Sequence, residues 1–284
     1  MNTLDSTDID THLLNQNGRI IHQVWFGTMP NKKKAKKTYI KFQKYRNSWK
    51  EKNPTWYHIE WNKEMSDRFV YKFYNKYYDL YRNYTYEIQK CDAIRYMILH
   101  RYGGLYVDMD YHCVKSFDLV FSIYKSPLYL VQTPNMSGEY VSNSLMFSTP
   151  RHKFWKVLLS EMRKVSKPPM YYSKHLSVMY TTGPAIVNRV FHKYKTQYKL
   201  KSWPHKYFQP HTHTQSVLTL KNDKVYAIHM SDGCWHGTDS IFIVLLCKEW
   251  KFLLFIITIM IIGILTYKLF LQPKNPEEPP KSPI

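Results

Sequence analysis

Cysteine is scarce in this 284-residue chain. Cys91, Cys113, Cys234 and Cys247 are the whole supply, and no two stand in a CxxC spacing. Neither a disulfide framework nor a cysteine-based zinc site is indicated. Acid is also scarce, 21 Asp and Glu against 41 Lys and Arg, which leaves a formal net charge of +20. Such an excess favours an anionic partner: nucleic acid, a phosphorylated small molecule or an acidic lipid surface. The chain carries no RNP or helix-turn-helix signature, so nucleic acid is not the expected partner. It has no internal repeat. Its first 18 residues are polar and lack the basic-then-apolar layout of a signal peptide.

What is present is enough for a sizeable core. Hydrophobic residues make up 44% and aromatic residues 17%, which suits one large domain with additions or two modest ones. The 25 tyrosines read first as compositional bias. "GRIIHQVWFG", "NPTWYHIEWN", "SPLYLVQTP" and "YVSNSLMFSTP" are apolar or alternating runs bounded by Gly, Pro or Asn, the pattern of strands. Between them, residues 63–90, "FWKVLLSEMRKV" and "TTGPAIVNRVF" read as helical, the last after a turn. The lysine run at 32–37 reads as a solvated loop leading into helix. Strand and helix in alternation predict an α/β domain with a largely parallel central sheet.

The most informative stretch is "CDAIRYMILHRYGGLYVDMDYH". Ile94, Met97, Ile98 and Tyr102 recur at helical spacing, and Gly103 or Gly104 supplies the left-handed residue that ends helices. Asp92 and Arg95, three apart, share a face as an ion pair. The strand that follows alternates, so Leu105, Val107 and Met109 point one way and Tyr106, Asp108 and Asp110 the other. Both acids then share a face about 6–7 Å apart, where they repel unless something positive lies beside them. Few, hard oxygen ligands at a strand's C-terminal end suit Mg²⁺ or Mn²⁺ bound together with substrate phosphates.

That block resembles the DxD-motif sugar-transferring family, glycosyltransferase family 32, whose members include α-mannosyltransferases and inositol-phosphoceramide mannosyltransferases. It is also similar, more distantly, to the catalytic core of clostridial glucosylating toxins. Cys91 stands where the family usually has Ser. The resemblance implies a GT-A, Rossmann-like nucleotide-sugar-binding fold over residues 19–240. It implies that Trp25 of "IIHQVWFG" stacks on the nucleobase and that Asp92 and Arg95 grip the donor. By the same resemblance Asp108 contacts ribose or sugar, Asp110 ligates the metal with Asp108 beside it, Asn143 faces the sugar, His229 completes the metal shell and Trp235 caps the donor. "TTGP" is similar to a family turn near the acceptor. The resemblance further implies Mn²⁺ or Mg²⁺, a nucleotide-diphosphate sugar donor (GDP-mannose or a UDP-sugar), a lipid or glycan acceptor and retention at the anomeric carbon. A GT-A-fold scaffold without activity, using its basic surface at membranes, is the rival expectation.

The C-terminus differs in kind. Phe252–Tyr267 carries no charge, and with Trp250, residues 269–271 and snorkelling lysines it reaches bilayer length. A membrane span over 250–271 is expected, followed by a Pro-rich disordered tail at 272–284. One span at an internal membrane of the ER or Golgi kind would hold the domain near a membrane-bound acceptor. Lysines on both sides leave its orientation open. Asn83-Tyr84-Thr85 and Asn135-Met136-Ser137 are glycosylation acceptors only on the luminal side.

Overall fold

The computed structural model describes residues 6–27, 32–134, 138–210, 224–233, 235 and 237–270. The chain divides into two compact units, Met1–Trp235 and His236–Ile284. In the first, the elements run α1 (Ser6–Leu14), β1 (Ile20–Val24), α2 (Lys32–Lys52), β2 (Tyr57–Trp61) and α3 (Lys63–Phe73). A 3₁₀ turn (Asn75–Tyr77), α4 (Tyr78–Arg82), α5 (Glu87–Tyr102), β3 (Gly104–Val107), β4 (Tyr111–Cys113) and α6 (Phe117–Ile123) follow. Then come β5 (Leu128–Gln132), β6 (Val141–Ser148), α7 (Lys153–Lys164), α8 (Lys174–Thr181), α9 (Pro184–Tyr194), β7 (Lys201–Trp203), α10 (His205–Phe208) and β8 (Ala227–His229).

Six strands form one sheet in the order β2-β1-β3-β6-β5-β7. The pairs β2–β1, β1–β3 and β5–β7 are parallel, whereas β3–β6 and β6–β5 are antiparallel. Five strands therefore run one way and β6 alone runs against them. β4 and β8 pair separately as a small antiparallel sheet.

Both faces of the main sheet are covered, which is why its strands read as near-continuous apolar runs. Ile20, Val24, Tyr106 and Met146 face one cluster with α5, α7 and α9. Ile21, Leu105, Val107 and Leu145 face the other, with Trp49 of α2, Phe117 of α6 and Phe208 of α10. Each large apolar side chain so buried contributes roughly 1.5–3 kcal/mol. The tyrosines do more than reflect composition, since Tyr81, Tyr96, Tyr106 and Tyr111 are fully buried.

The glycine pair sits where the backbone demands it. Gly103 caps α5 with φ 66°, and Gly104 follows with φ 89°. A Cβ on Gly103 would lie 2.6 Å from the Pro150 nitrogen, and one on Gly104 would lie 2.6 Å from the Ile20 carbonyl. These contacts let β3 enter tightly between β1 and β6. His22 on β1 fastens the same corner. Its Nδ1 accepts from Trp61 Nε1 at 3.2 Å, so its Nε2–H donates to the Gly103 carbonyl at 3.0 Å.

Two expectations need correction. Lys32–Lys37 is the start of helix α2 rather than a loop. The segment before residue 18 is not merely polar: Leu13 of α1 is fully buried, and Asp10 pairs with Arg101. α5 is buried nearly all round, Asp92 and Arg95 included, so that ion pair is internal. Among the described residues no helix is long and apolar enough to cross a membrane, so the expected span at 250–271 is not confirmed. In the second unit α11 (Thr238–Phe270) is one continuous helix. The expected span at 250–271 lies partly outside the described residues, and the expected tail at 272–284 wholly so.

Candidate active site

β3 ends at Val107, and the two acids lie just beyond it. Asp108 donates its N–H to the Ser144 carbonyl of β6 at 2.9 Å, and Tyr111 N–H donates to the Asp108 carbonyl at 3.2 Å. Asp108-Met109-Asp110 is thus a turn between β3 and β4, not the continuation of one strand face. The turn brings the carboxylates together instead of spacing them along an edge. Among the described residues, one ligand atom each from Asp108, Asp110 and His229 lies within 4.8 Å of the others. The cluster stands at the C-terminal end of β3, beside its parallel neighbour β1, where open α/β sheets form their crevices.

Arg95 is the positive group beside the acids. Its side chain is 5% exposed. Nη1 donates to Asp108 Oδ1 and to the Asn143 carbonyl, both at 3.0 Å, and Nε donates to the Cys91 carbonyl at 3.2 Å. Nη2 lies 3.2 Å from Asp92 Oδ1, and the guanidinium rests 4.6 Å over the Tyr106 ring. A buried cation persists only when held in this way. Asp92 is fastened in turn: Oδ1 accepts from Asn143 Nδ2 at 2.9 Å, and Oδ2 from Thr182 Oγ1 at 3.0 Å. Burial still pushes its pKa up to about 6 against the pull of Arg95, Thr182 and Asn143. Asp108 also takes the Tyr106 hydroxyl at 2.7 Å. Burial and the neighbouring Asp110 charge hold the Asp108 carboxyl above the usual range, although Arg95 opposes them.

Asp110 behaves oppositely. Burial works to raise its pKa, but the imidazole of His229 at 3.1 Å and the Asp232 N–H at 2.9 Å outweigh burial and lower it. Burial alone would lower the His229 pKa, yet Asp110, Asp108 and Asp232 raise it. Gln209 Nε2, 3.2 Å from Nδ1, makes Nδ1 the acceptor and leaves Nε2–H for Asp110. Tyr111 stacks on the imidazole at 4.6 Å. Asp232 also pairs with Lys41 of α2.

The charges do not balance. Asp92, Asp108, Asp110 and Asp232 face two permanent cations, Arg95 and Lys41, and one titratable one, His229, so acid still outnumbers base. A divalent ion held by two carboxylates and one imidazole would supply the missing charge, and this donor set suits Mn²⁺ or Mg²⁺. The residues present therefore fit such a metal.

The remaining expected residues are distributed around this centre. Asn143 on β6 turns its amide to Asp92 and to the Tyr96 hydroxyl. Trp25, half-buried after the end of β1, stacks on Tyr39 at 6.0 Å and meets Phe42 edge-on, both on α2. Trp235 stacks on His175 of α8 at 5.4 Å, and its carbonyl accepts from Lys174. Sequence reasoning assigned no role to Tyr106, Thr182, Gln209, Asp232 or Lys41. Thr182 carried a signal in "TTGP"; Lys41, 191 residues from Asp232 along the chain, carried none.

The family described as "Glycosyltransferase sugar-binding region containing DXD motif" matches residues 40–127. Mannosyl phosphorylinositol ceramide synthase CSH1 of Saccharomyces cerevisiae is 36% identical over 143 residues, 50% of this chain and 36% of that protein. Inositol phosphoceramide mannosyltransferase 2 of Schizosaccharomyces pombe is 28% identical over 224 residues, 78% of this chain and 59% of that protein. The chain thus spans roughly a third to three fifths of the length of these relatives. Among solved structures, PaToxG glycosyltransferase aligns with a TM-score of 0.44 at 14% identity, covering 66% of this chain and 76% of that one. Over residues 40–127 the chain thus resembles the DXD-containing glycosyltransferase sugar-binding region, and over a longer stretch the mannosyltransferases named for inositol phosphoceramide.

Proposed function

We propose that this chain is a metal-dependent glycosyltransferase of the GT-A type, with residues 19–240 as its catalytic domain. It moves a hexose, by preference mannose, from a nucleotide-diphosphate sugar to a hydroxyl of a lipid. The observation that carries this reading is the convergence of Asp108, Asp110 and His229 beside the buried Arg95–Asp92 pair. Asp110, Asp108 and His229 would hold Mn²⁺ or Mg²⁺, which when bound stabilises the charge growing on a diphosphate leaving group.

The chain's own groups do the positioning. Arg95 locks Asp108 in place and keeps positive charge behind it. Asp92, tied by Asn143 and Thr182, holds Arg95 flat over Tyr106. Trp25 offers an aromatic face to the base, worth roughly 1–3 kcal/mol, and Trp235 covers the donor from the α8 side. Asp92, Asp108 and Asp110 are each engaged with partners inside the site, so none is nominated as a covalent nucleophile. Retention then fits a same-face reaction in which the leaving phosphate oxygen takes the acceptor's proton.

The relatives' names support mannose as the sugar and an inositol-phosphate lipid as acceptor; GDP-mannose is the donor proposed, with UDP-sugars as the alternative. A single span at 250–271, in an ER- or Golgi-type membrane, would keep the site near that lipid. The test is a donor screen with full-length protein in neutral detergent, following nucleotide release with and without Mn²⁺. Mn²⁺-dependent release from one nucleotide sugar is expected. Release from none, or release indifferent to a chelator, overturns the reading.

A further inference from the structure

The end of the sheet opposite the DXD turn holds a second concave site. α5 leads from Arg95 to His100 and Arg101 in its last turn, and β6, reversed, delivers Arg151 to the same end. There a cleft of about 290 Å³ opens, close to the lower limit of small-molecule sites at roughly 300 Å³. Leu14, Phe73 and Tyr74 form its apolar wall; His100, Arg101, Arg151 and Lys156 form the other, and no described acid lines it. The nearest carboxylate, Asp10, is occupied: Arg101 Nε and Nη2 and the Tyr102 hydroxyl all donate to it within 2.7 Å. Arg151 and Lys156, both exposed, are left facing the cleft without a described carboxylate partner.

His100 adds an independent observation. Tyr74 donates its hydroxyl hydrogen to the Met97 carbonyl at 2.9 Å, so at 2.6 Å it can only accept from His100 Nδ1–H. The other ring nitrogen, Nε2, is buried and has no hydrogen-bond partner. Burial, together with Lys156, Lys76, Arg101 and Arg151, pushes the His100 pKa down to about 4. Burial, reinforced by positive charge with no anion to offset it, thus keeps the ring neutral.

We propose that this cleft binds a phosphate group, held by Arg151, Lys156 and His100 Nε2. The phosphate is either inorganic or the phosphodiester of an inositol-lipid headgroup. A bound phosphate supplies the negative charge the cluster lacks, lets His100 take a proton and donate from Nε2, and joins α5 to α7. Nothing in this inference depends on sugar transfer, because the cleft and the DXD turn lie at opposite ends of β3.

The test is thermal unfolding and titration calorimetry of the full chain in an uncharged detergent. The probes are inorganic phosphate and a water-soluble short-chain phosphatidylinositol, each against chloride at matched ionic strength. The expected result is a rise in Tm beyond that in chloride, with binding weakened at least tenfold in Arg151→Gln/Lys156→Gln. Lys33→Gln/Lys36→Gln, which removes equal charge from exposed positions on α2, should bind as wild type does. Tighter binding of the soluble lipid assigns the headgroup as ligand; tighter binding of inorganic phosphate assigns the free anion. Both substituted side chains are exposed, so folding should be retained, and either single variant gives the same reading if the pair is impaired. No shift beyond chloride, or the same affinity in wild type and the double variant, overturns the proposal.

Discussion

Asp110 and His22 show two opposite uses of a buried polar side chain. Asp110 accepts from His229 and from the Asp232 N–H; an asparagine can keep the second contact through its carbonyl oxygen but loses the charge. Asp110→Asn should therefore lower Mn²⁺-dependent donor hydrolysis by at least ~100-fold while leaving Tm within a few degrees, read by a coupled nucleotide assay and calorimetry. Near-normal turnover would remove the metal assignment. His22 is fully buried, and burial drives its pKa down to about 3 despite the Gly103 carbonyl. Unfolded, it takes a proton near 6.5; folded, it does not until about 3. The unfolded state thus binds more protons across that window, and stability falls as pH drops below 6.5. Between pH 7 and pH 5 this one group should remove about 2 kcal/mol, and urea titrations of His22→Gln should show a correspondingly flatter pH dependence. The two classes differed in legibility. Asp92, Arg95, Asp108 and Asp110 were legible because they lie within one short block whose spacing carries the chemistry. Lys41 and Asp232 were not, because only tertiary folding brings them together.

Elements were legible where a local signal sets them and obscure where partners do. The glycine pair marks the end of α5 and the start of β3 for a local reason, the left-handed backbone of Gly103 and Gly104. Gly104→Ala should destabilise the protein by at least ~2 kcal/mol, adding left-handed strain to a clash with the Ile20 carbonyl, seen as a lower urea midpoint. An unchanged midpoint would mean that β1 and β3 can part at no cost. The end of β3 was misread because the alternation Leu105, Val107, Met109 continues past it. What stops the strand is the pairing of β4 with β8, whose partner strand comes more than a hundred residues later. The reversal of β6 left no trace in its own residues either, since a strand buried on both faces reads alike in either direction.

At the scale of the whole molecule, the surplus of positive charge was plain from composition, yet its placement was not. Lysines crowd the first turns of α2, while Arg151 and Lys156 meet at the rear cleft. If the proposed span anchors the protein, the side of the membrane that carries this charge can be read from Asn83, which is exposed in the folded domain. If the domain is luminal, enzymatic deglycosylation should increase the gel mobility of the cellular protein. Asn83→Gln should then remove all or part of that shift; an unaltered band in both would place the domain on the cytosolic side. The docking of α1 has a practical corollary. A recombinant version trimmed to begin at residue 19, the boundary composition recommends, would leave the Arg101 guanidinium without its carboxylate and strip Leu13 from the core. Poor yield of such a shortened product would reflect a missing keystone rather than an unstable enzyme.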